Sequence, residues 1–231
     1  MRTPHRFLTE DRILRLQQRQ LQPAIILTVV LVIRVFMLPL TANPLNWFHP
    51  LSQLATAGAL IYMAASTRRH LTIAFILAIP GQIFDWLDQL SIISHSYEWV
   101  HETLQILLIL YVFYLMLREL FMARKVNAST MLLAVNCYLL IGMVWSIIYI
   151  LTDFLVPGSF NLPETPGIET WQHLYYFSFV TLTTLGYGEI SPALPLARSL
   201  AMMEAIAGVL FTGVLMARLI GLYTAGGSTK E

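Results

Sequence analysis

The chain has 231 residues, of which 57% are hydrophobic and only 12% are charged. Soluble domains carry about 25% charged residues, and the mean hydropathy of +0.66 points away from that class. The composition excludes an ordinary cytosolic enzyme, a disordered tail and a nucleic-acid binder with a basic face, and it predicts an integral membrane protein. The lone cysteine, Cys137, excludes an intramolecular disulfide framework and a cysteine-based zinc site.

Apolar runs of membrane-crossing length recur along the chain. A helix needs roughly 20 apolar residues to cross the hydrocarbon core of a bilayer. Six runs predict six transmembrane helices, at 23–40, 50–67, 71–90, 100–122, 130–156 and 196–223. A shorter run, 171–182, predicts a re-entrant helix. Because lipid tolerates only helices or closed barrels, and no sheet-like alternation occurs, we predict an all-α membrane protein.

The basic residues predict the orientation of these helices. Most of them precede the first run or lie between runs two and three or between runs four and five, and Lys230 is near the C-terminal end. The loops 41–50, 91–99 and 157–170 contain no Lys or Arg, and Arg198, near the outer end of the last run, is the exception. The positive-inside rule therefore predicts that both termini are cytoplasmic. We expect the protein to lie in the plasma (inner) membrane. We predict three parts: a cytoplasmic amphipathic segment (1–22), a four-helix transmembrane unit (23–125) and a helix–loop–helix unit (126–231).

The segment 181–190, with the sequence Thr-Leu-Thr-Thr-Leu-Gly-Tyr-Gly-Glu-Ile, carries the chemistry. Its two glycines permit backbone angles closed to other residues, so successive carbonyls can turn to one side. At membrane depth such a loop is tolerated only where it is buried in protein or lines a wet cavity. Several copies around an axis would form rings of carbonyl oxygens that replace the water shell of a cation.

The run 184–188 resembles the selectivity filter of the pore-loop potassium channels, and residues 177–183 resemble the end of their pore helix. The resemblance covers about residues 130–225. It implies a homotetramer that conducts K+ ions, with a pore domain at 126–231. It also implies filter roles for Thr184, which supplies a hydroxyl and a carbonyl at the inner end, for the carbonyls of Leu185, Gly186 and Tyr187, and for Gly188, which closes the filter outside.

Two positions depart from the commonest family pattern. Leu185 stands where valine is commonest, and Glu189 stands where aspartate is commonest. Leu185 keeps an apolar side chain, and Glu189 keeps a negative charge at the outer mouth, so neither change argues against potassium selectivity. The rigidity of the filter and its inactivation stay open.

The resemblance also implies side chains that support the filter. Thr183 is expected to support it, and the ring of Tyr187 is expected to face the wall of the pore helix. Tyr176 and Trp171 are candidate partners that hold Tyr187 or Glu189, with simple packing as the alternative.

The last run contains two glycines and an acidic residue. Gly208 matches the family's gating hinge, with close helix packing as the alternative, and packing is the preferred interpretation for Gly213. An acidic side chain such as Glu204 is energetically unfavourable in lipid. It is expected to face protein or water behind the filter, where Thr181 or Ser178 could hydrogen-bond to it.

The four-helix unit resembles a voltage sensor in its position, but its fourth run has no basic residue before Arg118. Conventional voltage sensing is therefore not expected. Arg34 and Asp85 lie at predicted depths that differ by about 5 Å, which predicts a buried ion pair, with Asp88 as the alternative partner.

A cluster near the outer start of the fourth run could bind protons or a divalent metal, although a wetted helix end is the alternative. Its members are His95, Glu98, His101 and Glu102.

We therefore predict a potassium-selective channel and not an enzyme. Its partners would be three further copies of the chain, membrane lipids and, to supply gating, a separate regulatory subunit. A weakly selective monovalent cation channel and a subunit of a potassium uptake transporter stay as alternatives. The sequence leaves the gating stimulus open.

Overall fold

The computed structural model describes residues 5–37, 48–65, 67–89, 98–123 and 126–227. Within this part the chain is mostly helical, and each predicted apolar run corresponds to one helix. The elements follow in the order α1 (His5–Met37), α2 (Phe48–Ala64), α3 (Arg68–Gln89), α4 (Glu98–Met122), α5 (Ala128–Leu155), β1 (Phe160–Asn161), α6 (Thr170–Leu182), β2 (Ser191–Pro192) and α7 (Pro195–Gly227).

Three stretches within the described residues are long and apolar enough to cross a membrane, namely Thr103–Met122, Ala128–Leu155 and Pro195–Gly221. The apolar part of α1, Leu21–Met37, is shorter, and α2 has 17 residues. Length and composition therefore support three of the six predicted spans.

The predicted boundary at residue 22 falls inside a helix. α1 continues through Pro23 to Met37. A proline in a helix interior removes one backbone hydrogen bond and tends to bend or break the helix. In this chain the residues on both sides of Pro23 remain helical, so the N-terminal segment and the first apolar run form one element.

The starts of α5 and α6 have local capping contacts. Asn127 precedes α5, and its side-chain oxygen accepts a hydrogen bond from the Thr130 N–H at 2.9 Å. Before α6, the Glu169 N–H donates to the side-chain oxygen of Gln172 at 2.8 Å. These contacts satisfy backbone groups that a helix start leaves without partners.

Two clusters of buried side chains hold the helices together. The larger cluster joins α1–α5 and includes Tyr175 of α6. The smaller cluster is largely aromatic, and its rings at Tyr149, Phe160 and Phe177 have centroids 5.2–5.6 Å apart. α6 therefore packs against both clusters and is positioned from two sides.

One short strand pair lies among the helices. Phe160 pairs with Pro192 and Asn161 pairs with Ser191, in an antiparallel contact between β1 and β2. Two-residue strands leave no alternation pattern in a sequence, and their pairing depends on α5 and α7 bringing the segments together. The contact ties the end of α5 to the segment that follows the 183–189 loop.

Candidate functional site

In the loop between α6 and β2, residues with positive φ alternate with residues without positive φ. Thr184, Gly186 and Gly188 have φ values of 59°, 59° and 92°, whereas Leu185 and Tyr187 do not have positive φ. Left-handed and right-handed residues in alternation point successive peptide groups the same way. The loop can therefore present a row of carbonyl oxygens on one side.

Thr184 is the sole non-glycine residue with positive φ in the described part of the chain. An L residue in the left-handed region costs roughly 1–2 kcal/mol. Such strain concentrates at active sites, ligand clamps and switch regions. The strained backbone thus coincides with the residue that the sequence predicts for the inner end of the filter.

The start of the loop is bonded to the last turn of α6. The carbonyl oxygen of Val180 accepts from the N–H groups of Leu185 at 2.9 Å and Gly186 at 3.3 Å. The hydroxyl of Thr183 donates to the carbonyl oxygen of Phe179 at 2.7 Å. The first residues of the loop are therefore held by the helix that precedes them.

The loop is exposed in the single chain. Every residue in 183–189 is exposed, between the buried residues Leu182 and Ile190. The ring of Tyr187 is 68% exposed, so its own chain does not bury it against α6. An irregular backbone at membrane depth must be covered by protein or line a water-filled path. The single chain supplies little of that cover.

The outer end of the loop contacts one of the two predicted aromatic partners. Tyr176 of α6 interacts electrostatically with Glu189 and with Tyr187. Trp171 instead packs against the larger core cluster. Tyr176 is therefore one side chain that α6 brings to the loop.

Glu204 of α7 lies behind the loop and is fully buried. Its Oε1 atom is 2.6 Å from the hydroxyl oxygen of Ser178. Its Oε2 atom accepts a hydrogen bond from the Tyr149 hydroxyl at 2.5 Å. Ser178, and not Thr181, is the α6 hydroxyl that contacts Glu204. The sequence analysis missed Tyr149, because nothing local indicates which α5 residue faces α7.

Gly208 lies one turn after Glu204, at a close approach of α7 to the end of α6. A Cβ atom at this position would be 2.5 Å from the carbonyl oxygen of Leu182. The same oxygen accepts a hydrogen bond from the Tyr138 hydroxyl at 3.2 Å. The geometry favours the packing alternative for Gly208. The packing contact predicted for Gly213 is not found, since a Cβ there would meet nothing within 4 Å among the described residues.

Arg218, near the C-terminal end of α7, is a second contact that the sequence analysis missed. Its guanidinium donates to the carbonyl oxygens of Leu120, Phe121 and Ala123. It also lies over the Phe121 ring, 5.2 Å from the centroid. A cation is favourable at a helix C-terminus, where carbonyls lack partners. Arg218 therefore connects α7 to the end of α4.

Arg34 is buried in the four-helix unit. It donates to the side-chain oxygens of Gln53 at 2.7 Å and Thr56 at 3.2 Å, both on α2. It also interacts electrostatically with Tyr175 of α6. The side chain of Asp85 lies outside the described residues, so the predicted ion pair stays a prediction.

The predicted cluster at the outer start of α4 is described only at His101. That side chain is buried, and its Nδ1 atom is 2.9 Å from the carbonyl oxygen of Gly81. His95 and the side chains of Glu98 and Glu102 lie outside the described residues. Within the described part of the chain, no group of three or more His, Cys, Asp or Glu could hold a metal ion.

Comparisons with known proteins match the part of the chain that holds this loop. Residues 137–225 match the family model described as an ion channel. Over 137 residues, 59% of the chain, the sequence is 27% identical to the "Voltage-gated potassium channel Kch" of Escherichia coli (strain K12). The chain spans 30% of the length of that relative. Residues 137–225 are thus similar to an ion channel domain, and the two matches support membership of the chain in the pore-loop potassium channel family.

Proposed function

We propose that four copies of this chain surround one axis and conduct K+ passively through a potassium-selective pore. The observation that carries the proposal is the alternating backbone at 184–188, exposed in the single chain between two anchored ends. Four such loops would form stacked rings of carbonyl oxygens in place of the hydration shell of K+. The permeant ion would contact main-chain oxygens, which are neutral and fixed in position.

The exposure of α7 supports assembly with further copies. In the most apolar stretch of α7 only 11% is buried, whereas in that of α5 50% is buried. The exposed side chains lie around the helix and are predominantly apolar, including Met203, Ile206 and Leu210. A helix that is apolar on all sides needs lipid or protein around it. In the proposed tetramer, α7 lies among neighbouring copies and lipid.

The residue roles follow from the position of the loop. Thr184 would supply a hydroxyl and a carbonyl at the inner end, Leu185, Gly186 and Tyr187 would supply carbonyls, and Gly188 would close the outer end. Glu189 would keep a negative charge at the outer mouth, where Tyr176 interacts with it electrostatically. The C-terminal end of α6 carries partial negative charge, which favours a cation in the cavity below.

For the whole chain we propose six spans in a plasma or inner membrane, with both termini cytoplasmic. The three further spans would be the apolar part of α1 together with α2 and α3. The proposed parts are residues 1–22, 23–125 and 126–231. The loops 41–50, 91–99 and 157–170, which lack Lys and Arg, would then face outward.

We propose that gating does not use conventional voltage sensing by α4. The basic residue within α4 is Arg118, near its C-terminal end, whereas a voltage sensor moves several charges through the field. An Arg34–Asp85 pair would have a structural role in the four-helix unit. The stimulus would be pH, membrane lipid, tension, weak voltage or the filter itself, unless a separate regulatory subunit supplies it.

Planar-bilayer recording of the purified protein under opposed K+ and Na+ gradients tests the proposal. We expect unitary currents that reverse near the K+ equilibrium potential. Equal permeability to Na+ would instead support a weakly selective cation channel. Saturating uptake without unitary currents would support a transporter subunit. A purified protein that is monomeric would contradict the shared pore.

A further inference from the structure

A chain of buried polar atoms joins the three helices of the ion channel domain. The Tyr149 hydroxyl of α5 is 2.5 Å from Oε2 of Glu204 on α7. Oε1 of Glu204 is 2.6 Å from the hydroxyl oxygen of Ser178 on α6. That hydroxyl is also 2.7 Å from the carbonyl oxygen of Gly142 on α5. These residues, Gly142, Tyr149, Ser178 and Glu204, form the Glu204 network.

Counting hydrogens determines the protonation state that fits the Glu204 network. Ser178 has one hydroxyl hydrogen, and the carbonyl of Gly142 can only accept. If Glu204 were ionised, Ser178 could donate to only one of its two oxygen neighbours, and the other contact would bring lone pairs together. If Oε1 of Glu204 carries a proton, it donates to Ser178, and Ser178 donates to Gly142. The protonated acid satisfies every contact.

The electrostatic surroundings favour the same state. Glu204 is fully buried, and within the described residues the side chains that act on it are Tyr149 of α5 and Ser178 of α6. Tyr138 of α5 also lies within electrostatic reach. None of these side chains is basic. A buried carboxylate without a cationic partner is costly, and the cost is greater at membrane depth.

Other charged side chains on the same helices are bonded elsewhere. Asp153 of α5 accepts from the N–H of Ser159 at 3.1 Å. Arg198 of α7 donates to the carbonyl oxygen of Pro192 at 3.2 Å. Neither neutralises Glu204, so among the groups that the structure describes a proton on the acid itself is the remaining way to remove the charge.

We propose that Glu204 is an un-ionised acid that positions α6 behind the loop, and that its loss of a proton at alkaline pH loosens this contact. The ionised acid leaves Ser178 with two acceptors for one hydrogen, so the bond from α6 to Gly142 of α5 or the bond to α7 is lost. The protonation state does not depend on conduction. Its effect on current rests on the proposed function.

Infrared spectroscopy of the purified protein tests the protonation state directly. At neutral pH we expect the carbonyl stretch of an un-ionised carboxylic acid, and we expect it to disappear as the pH is raised. Glu204→Gln should remove this band, because an amide replaces the acid. Glu164→Gln, at an exposed acid, should leave it unchanged. A band that is absent from the wild type, or that survives Glu204→Gln, would overturn the proposal.

A second variant keeps the test decisive if Glu204→Gln does not fold. Tyr149→Phe removes a hydrogen bond that favours the ionised acid. Such a bond to a charged group contributes about 1.5–3 kcal/mol. We therefore expect the infrared titration midpoint to rise by about one pH unit or more. An unchanged midpoint would contradict the assignment of the band to Glu204.

The pH profile of the K+ current then separates a positioning role from simple filling of space. We expect wild-type current to fall as the pH rises through the ionisation of Glu204. Glu204→Gln can still donate to Ser178 and accept from Tyr149, so its current should persist and lose this response, whereas Glu204→Ala should lose current at every pH. The same pH profile in wild type and Glu204→Gln would refute the role. Absence of all K+ current in the wild type and the variants would refute the proposed function. The protonation state of Glu204 would then be decided by the infrared measurement alone.

Discussion

The helices α5–α7 and the helices α1–α4 use their polar side chains differently. In α5–α7, bonds from Tyr138, Ser178 and Glu204 converge on one short helix behind the 183–189 loop. In α1–α4, Gln53 of α2 accepts from Arg34 of α1 and from Gln105 of α4, each at 2.7 Å. Gln53 and His101 line one small cavity between these helices. Convergent bonds hold one element at a defined position, which a row of coordinating carbonyls needs. The bonds of α1–α4 join α1, α2 and α4 to one another.

The largest effect is expected from Gly186→Ala, which tests the role of the loop that α5–α7 hold in position. The glycine has positive φ, and a Cβ would meet nothing within 4 Å. We expect folding and assembly to persist and K+ current to be abolished, because alanine disfavours the left-handed backbone at this position. Bilayer recording with size-exclusion chromatography checks both readouts. Normal selective current in this variant would refute the filter assignment.

The next test concerns the contact between α7 and α6. Gly208→Ala places a Cβ 2.5 Å from the Leu182 carbonyl oxygen, so we expect destabilisation of about 1–3 kcal/mol and impaired current. Gly213→Ala is the matched control, because a Cβ there meets nothing within 4 Å and helix propensity improves by about 1 kcal/mol. Thermal unfolding of the purified variants measures both. Equal stability of the two variants would argue against the packing role of Gly208.

Arg218→Ala tests the connection between the two regions. Loss of the charged contact at the end of α4 should destabilise the protein by about 1–2 kcal/mol. Thermal unfolding measures the change, and Arg69→Ala, at an exposed position of α3, is the control. If the two variants unfold alike, Arg218 contributes no stabilising contact to α4.

The smallest effect is expected from voltage itself. Depolarising steps should give shallow activation or none, because α4 offers Arg118 and no array of basic residues. A moved charge contributes about 2.3 kcal/mol per 100 mV, so few charges give weak voltage dependence. A conductance–voltage curve measures the slope, and steep activation would overturn the contrast between the two regions.

The sequence predicted the helices closely. Each apolar run lies on a helix, and the run predicted as re-entrant is α6, Thr170–Leu182. It also singled out the loop whose backbone alternates, because glycine spacing and turn residues are local signals. The partners of Glu204 and Arg218 could not be selected in the same way. They depend on how each helix is rotated and shifted against its neighbours, and an apolar run that is hydrophobic on all sides carries little periodicity to indicate this.

Composition and local pattern by themselves determined that this is a helical membrane protein with a glycine-spaced loop before its last helix. The tertiary structure decided which surfaces meet. α5 and α7 are both apolar, yet 50% of the most apolar stretch of α5 is buried and only 11% of that of α7. It also decided that Gly208, rather than Gly213, lies against α6. The physical reason is that hydrophobicity is a property of each residue, whereas burial and hydrogen bonding are properties of pairs of atoms brought together by the whole fold.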